Sequence, residues 1–338
     1  MTLKDIAAEA HVSVMTVSNV VNGKHDKVSS ATIEKVMAIV NKYHYVPNLT
    51  AKSLTAKSSN LVAVIVPFGE TENDINFFEN PYISTMIGVM EKKLREYGYY
   101  VIIRSVGTKG DITRLLKNWN VAGALFLIPS FETMIDSLLS ENDFPLVFFD
   151  SRSDNRSIMN VKTDDYKGGY IAAKYLINHG HKKIAFVADY RDSVILLERY
   201  RGYRDALTES RIRFQEDWVY FNAPTYEDGI QTGKQLAERT DPVTAAMSTA
   251  DICSIGIMEG ARLGGLRIPS DLSVIGFDNL DLCRYTTPKL TTVSQHITAK
   301  AERAVALLLE KLEKGTVEKT TVMLDVEIIE RQSVAFLD

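Results

Sequence analysis

From Leu61 onward the chain alternates short, almost continuous apolar runs with helical stretches, and it does so twice. LVAVIV (61–66), YYVIIR (99–104), AGALFLI (122–128) and PLVFF (145–149) form one series. After MNVKTDD (159–165) a second begins with KKIAFVA (182–188), TAAMS (244–248) and LSVIGF (272–277). Runs this uniformly apolar predict strands buried on both faces, which is the condition of parallel sheets covered by helices. The intervening helices are expected near 82–97, 166–179, 195–209, 226–239 and 251–264. A late strand TTVSQ, an amphipathic helix over about 297–314 and one closing strand, TVMLDVEII, complete the pattern. The fold class is therefore α/β, with two doubly wound lobes. Ligands in such sheets bind at the carboxyl ends of the strands, here in the cleft between lobes.

The first 60 residues have a different texture. Thr2 with Asp5 three residues later is a capping-box start, and Ile6, Ala7 and Ala10 form the inner stripe of a first helix. Ser13 is a suitable N-cap for a second helix that ends near Asn22-Gly23. After the loop KHDKVS a third helix is expected from Ser29 or Ser30 to about Tyr43, with Ile33, Val36, Met37 and Val40 on one face. Helix, three-residue turn, helix is the spacing of a helix-turn-helix. In SVMTVSNVVNG (13–23) the helical rotation puts Val17, Val20 and Val21 in one arc. Val14 and Met15 fall on the other arc, with Ser18, Asn19 and Asn22. Val14 lies close to the edge of the inner arc, but Met15 does not.

Charge separates the same segment from the rest. The whole chain is at −4, yet residues 1–60 hold seven lysines against four acidic residues, leaving the remainder with 32 basic and 39 acidic. A small basic head on an acidic body is suited to meet a polyanion through the head alone. Between the two, YVPNLTAKSLTAKSSN (45–60) has only Leu49, Ala51 and Leu54 as apolar positions on a short helical segment. Such a segment is too poor in burial to be stable alone; it reads either as a plain linker or as a hinge that becomes helical only when something else orders it.

Several function classes are disfavoured. There is no GxGxxG after a strand, no GxxxxGK[ST], no GxSxG and no HExxH, so catalysis is not expected. The HGH at 179–181 sits at a helix-to-strand turn, where capping is the expected role. Cys253 and Cys283 stand outside any metal spacing and are expected to be free buried thiols. No apolar run approaches the roughly 18 residues of a membrane helix, and the start, MTLKDIAAEAHVS, lacks a signal-peptide pattern, so a cytoplasmic location is expected. Neither a metal nor a cofactor is called for.

LKDIAAEAHVSVMTVSNVVNG, YVPNLTAKSL, INHGHKKIAFV, ERYRGYRDAL, IPSDLSVIGFDN and PKLTTVSQH together resemble, in order, the lactose-repressor family of bacterial transcription regulators. The resemblance implies a helix-turn-helix head over 1–46, a hinge helix or linker over 47–60, and a two-lobed body like the periplasmic binding proteins. It assigns 61–161 and 291–322 to the amino-proximal lobe and 162–290 and 323–338 to the other. It also implies a homodimer on a palindromic operator, controlled by a small polar effector in the cleft. Val14, Met15 and Asn19 match base-reading positions, and Asn suits adenine. Thr16, Ser18 and Asn22 match phosphate or edge contacts. In the hinge, Leu54 matches a minor-groove wedge, with Asn48, Ala51 and Lys52 nearby.

For the effector, the resemblance points to Arg199, Asp278, Asp150 and Gln295, a mixture of donors and acceptors suited to a sugar or sugar derivative. The chain departs from the pattern at Ala250, Pro224 and Ile195, where relatives place Asn, an aromatic and a small hydroxyl residue. NFFENPY (76–82) offers Phe77 and Tyr82 as alternative stacking residues. Some members are switched by a phosphocarrier protein through an arginine and a tyrosine; Ala306 and Thr298 stand at those positions, so that partner is not expected. The alternative readings are a sugar-binding transport protein of the same two-lobed fold, disfavoured by the basic head, and an α/β enzyme, disfavoured by the empty motif search.

Overall fold

A computed structural model of the 338-residue chain describes residues 1–45, 59–67, 76–106, 109–127, 138, 140, 145–153, 155, 158–189 and 194–337. It has two compact units, Met1–Ser59 and Asn60–Asp338.

In the first unit, α1 (Leu3–Ala10), α2 (Val14–Val21) and α3 (Ser30–Lys42) surround a core of Ile6, Ala7, Ala10, Val17, Val20, Val36 and Ile39. The caps are those the sequence predicts. Thr2 and Asp5 close a reciprocal capping box on α1, and the Ser13 and Ser29 hydroxyls accept from Thr16 N and Thr32 N to start α2 and α3. Each cap satisfies an N–H group that the helix cannot satisfy internally. His11, at φ 53°, turns the chain out of α1.

The second unit contains two six-stranded sheets. In sheet 1, β1 (Leu61–Pro67), β2 (Tyr100–Val106), β3 (Gly123–Phe126), β4 (Leu146–Phe149), β5 (Met159–Thr163) and β11 (Thr321–Leu324) run parallel in the order β11-β5-β4-β3-β1-β2. In sheet 2, β6 (Ile184–Ala188), β7 (Val219–Phe221), β8 (Ala245–Ser248), β9 (Ser273–Asp278), β10 (Thr291–Ser294) and β12 (Glu327–Ile329) take the order β12-β10-β9-β8-β6-β7, with only β12 antiparallel. Both sheets reverse direction beside their first strand, the doubly wound order that opens a crevice at the carboxyl ends. The strands are as buried as their composition requires: every residue of β3, β4, β6, β8, β9 and β10 is buried.

Among the described residues the α-helices of the body are α4 (Pro81–Glu96), α5 (Lys109–Asn118), α6 (Asp165–Asn178), α7 (Val194–Glu209), α8 (Tyr226–Ala237), α9 (Asp251–Leu263) and α10 (Ile297–Lys314). Two expectations are corrected. The strand at 291–294 belongs to sheet 2, because it pairs in register with β9, so the chain crosses between lobes after Ser294 and not at 291. The closing stretch is two strands rather than one: TVML joins β5 of sheet 1, and EII joins β10 of sheet 2. The break falls at Asp325, whose carboxylate accepts from the N–H of Val326 at 2.8 Å and ends the extended run. Among the described residues no helix is long and apolar enough to cross a membrane. His179 caps the end of α6, its Nδ1 2.7 Å from Tyr175 O, and no metal-holding cluster occurs among the described residues. Cys253 and Cys283 are free and buried.

The backbone of Arg199 is held in place by a helix crossing. Helices α6 and α7 meet where Gly169 faces Gly202: a Cβ on Gly169 would stand 2.0 Å from Arg199 O, and one on Gly202 2.1 Å from Tyr166 O. Backbone lies against backbone there, and only glycine permits it. Gly202→Ala must therefore push α7 outward. The expected cost is about 1–3 kcal/mol from overpacking, read as a lower urea midpoint with unchanged m-value.

Candidate functional site

Two faces bring together the residues that the sequence marks out. On the head, Met15 is 70% exposed and Val14 41%, while Val17 and Val20 are buried. Val14 thus stands outside the core rather than at its edge. Asn22 is exposed, and its amide donates to Ser18 O at 2.7 Å and Ser18 Oγ at 3.3 Å. The Thr16 hydroxyl lies 2.9 Å from Ser13 Oγ. Thr16, Ser18 and Asn19 are half-buried. The result is a helix face with two apolar tips among hydroxyl and amide groups, a combination chemically complementary to the methyl and polar edges that a major groove presents. Asn48, Ala51, Lys52 and Leu54 lie outside the described residues.

In the body, a cavity of about 210 Å³ opens where the strands of both sheets end. This is room for roughly seven waters. Arg199, Asp278, Asp150, Gln295 and Tyr82 all line it, as do the three departures from the family pattern, Ile195, Ala250 and Pro224. Phe77 does not; it is half-buried against the hydrophobic core, so of the NFFENPY aromatics only Tyr82 reaches the wall. Asn80, Asp189 and Thr249, which sequence reasoning did not single out, also line it. Asp189 and Thr249 directly follow β6 and β8, so their place in the wall is a consequence of topology.

The polar groups are almost wholly buried, and their partners settle how each carries its charge. Arg199 binds Asp165, its Nε and Nη2 each 2.8 Å from Asp165 Oδ1, and Nη1 donates to Thr249 O at 2.8 Å. Its guanidinium also lies 3.5 Å from the centre of the Phe277 ring. Asp150 is met by Lys300 Nζ at 2.5 Å and by Thr163 N–H at 3.0 Å. Lys300 also donates to Thr163 Oγ1 at 2.8 Å and Gln295 Oε1 at 3.2 Å. Gln295 in turn donates to Asp278 Oδ1 at 2.5 Å. One chain of hydrogen bonds thus runs from the ends of β4 and β5 in sheet 1 to the end of β9 in sheet 2.

Burial works against the charge of Lys300, but Asp150, Tyr82 and Asp165 outweigh it and its pKa is raised. Burial raises Asp165 despite Arg199, and pushes the Tyr82 phenol up to about 12. Asp278 has no full cation of its own; burial, and then Asp251, push its carboxyl up to about 8. Asp150, Asp278 and His296, which leave or follow β4, β9 and β10, have φ of 53°, 127° and 50°. Left-handed backbone at non-glycine residues is costly and gathers at functional sites. Lys300 and Asp165 were not among the expected site residues. A signal existed for Lys300, which stands in the apolar stripe of α10 with Ile297, Ala301 and Ala304.

Known proteins match both units of the chain. Residues 2–48 match the model described as "Bacterial regulatory proteins, lacI family", and 173–334 match "Periplasmic binding protein-like domain". A curated relative, the HTH-type transcriptional repressor PurR of Pasteurella multocida (strain Pm70), is 31% identical over 98% of each chain. The chain belongs to the lacI family of bacterial regulatory proteins. Among solved structures of this family, the lac repressor dimer bound to operator and the anti-inducer ONPF aligns at TM-score 0.86, 26% identity and 99% of each chain. A transcriptional regulator CelR–cellobiose complex aligns at TM-score 0.71 and 27% identity, covering 98% of this chain and 99% of that one. Membership of this family sets the chain among regulators and not among enzymes.

The raised carboxyl of Asp278 has a consequence for stability. Its folded-state pKa lies above its unfolded one, so the folded state holds a proton that the unfolded state releases between about pH 4 and about 8. Its contribution is fully present below pH 4 and declines as pH rises to about 8. Asp278→Asn is expected to flatten that decline, seen as a smaller fall in Tm between pH 5 and pH 8 than in the parent.

Proposed function

We propose that this lacI-family protein is a transcriptional repressor that binds a palindromic operator as a homodimer and is controlled by a small uncharged polyhydroxyl ligand, a sugar or sugar derivative, in the cleft. The observation that carries the DNA-reading half is the exposed apolar pair Val14 and Met15 on α2. Water gives no reason to expose them; thymine methyl groups do, and Asn19 beside them suits adenine. Thr16, Ser18 and Asn22 serve the backbone and base edges, while Leu54, with Asn48, Ala51 and Lys52, acts at the minor groove when the hinge meets DNA. A two-fold dimer matches a two-fold site.

The ligand class follows from the charge state of the wall. Among the described wall residues Arg199 is taken by Asp165 and a carbonyl, and Asp150 by Lys300, so no described cation is left over for an anionic ligand. Hydrogen-bonding groups remain in plenty: Asn80, Thr249, Gln295 and the carboxyl of Asp278. Hydroxyl groups both donate and accept, which fits a wall of this kind. A purine base is the second reading, brought by the PurR name shared among the curated relatives; Tyr82 is the aromatic wall residue on which it would stack. Either ligand controls DNA affinity by binding one arrangement of the lobes better than the other.

Fluorescence anisotropy against the palindrome upstream of the protein's own operon tests the DNA half. Binding should be sequence-preferring and fall steeply with salt; equal affinity for random DNA sinks the reading. Met15→Ala should weaken operator binding by about 1 kcal/mol or more and leave random-sequence affinity and Tm unchanged. Equal losses on both DNAs would remove Met15 from the reading surface. A thermal-shift panel of sugars, sugar phosphates and nucleobases separates the ligand classes. A true ligand at about 100 times its Kd adds about 2.7 kcal/mol of stability, and phosphorylated members of a sugar pair should give no shift.

A further inference from the structure

The lysine beneath the cavity has no ordinary reason to be where it is. Lys300 belongs to the buried face of α10, with Ile297, Ala301, Ala304 and Val305, and its side chain is 1% exposed. It does not itself line the cavity, whereas Asp150, Gln295 and Tyr82 do. An ammonium has three donors. Here each has an acceptor, at 2.5 Å in Asp150, 2.8 Å in Thr163 and 3.2 Å in Gln295. The carboxylate of Asp150 therefore faces the cavity on one side and a built-in cation on the other.

We propose that Lys300 is the internal counter-ion of the cavity, a positioning residue that fills the cation subsite beside Asp150 and so closes that subsite to cationic ligands. It acts through the groups it holds. It fixes the Asp150 carboxylate, and through Gln295 it sets the orientation of the amide that donates to Asp278. With the ammonium removed, the wall would present an uncompensated carboxylate, and an amine entering through the cavity would take the vacated place. The proposal rests on reading this cavity as the ligand site, but its test needs no natural ligand.

The test uses the full chain and n-propylammonium chloride, which carries the three carbons and the ammonium that Lys300→Ala removes. Removing one partner of a buried ion pair should lower the folding equilibrium constant of Lys300→Ala about a hundredfold or more. Added n-propylammonium should raise its Tm saturably, while sodium chloride at equal ionic strength should not. The parent should not respond. Asp150→Asn combined with Lys300→Ala should recover stability without amine and be insensitive to it; Asn keeps the left-handed backbone that position 150 requires. Rescue that is equal in the parent, or that survives the loss of Asp150, overturns the proposal, as does a Lys300→Ala protein that no amine stabilises.

Should Lys300→Ala fail to fold, Lys300→Met and its pair with Asp150→Asn are compared by urea unfolding. The double variant must have the higher folding constant by at least about tenfold, because only then is an unpaired carboxylate the fault. A double variant no more stable than Lys300→Met overturns the assignment. A failed sugar panel would instead count against the polyhydroxyl ligand and leave the amine result standing.

Discussion

A charge at the end of a fully buried strand must be met from within the fold, and this requirement organises the body of the protein. Of the carboxyl groups that gather where sheets 1 and 2 end, Asp150, Asp165, Asp251 and Asp278 are each accommodated differently. Asp150 is met by an ammonium and Asp165 by a guanidinium. Asp251, fully buried, accepts from Leu280 N–H at 2.8 Å, Thr292 Oγ1 at 2.5 Å and Cys283 Sγ at 3.0 Å. Asp278 receives an amide from Gln295, and burial drives it toward the neutral form. Unpaired ions are too costly in such surroundings, so these four carboxyl groups make the wall polar without leaving their own charge unmet.

Much of this was legible in the sequence. The caps of α1, α2 and α3 depend on residues within three positions of each other, and such signals survive any tertiary context. The two series of apolar runs announced two doubly wound sheets because burial on both faces leaves no room for alternation. Arg199, Asp278, Asp150, Gln295 and Tyr82 converge on one cavity through strand ends and helix starts far apart in the chain, a convergence that family resemblance anticipated and local pattern alone could not.

The misses have equally specific causes. Phe77 and Tyr82 sit five residues apart in one motif and both pack against the core, but Tyr82, in the first turn of α4, also lines the cavity, whereas Phe77 precedes the helix and does not. The resemblance places strand 291–294 with the long helix and the crossover that closely follow it, and nothing in TTVS says that it pairs with β9 instead. Lys300 is visible as a charge in an apolar stripe, yet its partner Asp150 is half the chain away. Pairing across such a distance is a property of the fold and cannot be read from a window of residues.

The glycine crossing of α6 and α7 has a bearing on how such a cavity can be altered. Because the backbone of Arg199 rests against Gly169 with no side chain between them, the arginine cannot be moved sideways to suit another ligand. Its charge is likewise committed to Asp165. Freedom to reshape the wall therefore resides in its apolar residues, Ile195, Pro224 and Ala250 among them, whose side chains need no partner. The wall thus divides into a fixed electrostatic frame and a set of exchangeable apolar panels, and its shape can be rewritten on the panels while the frame stays.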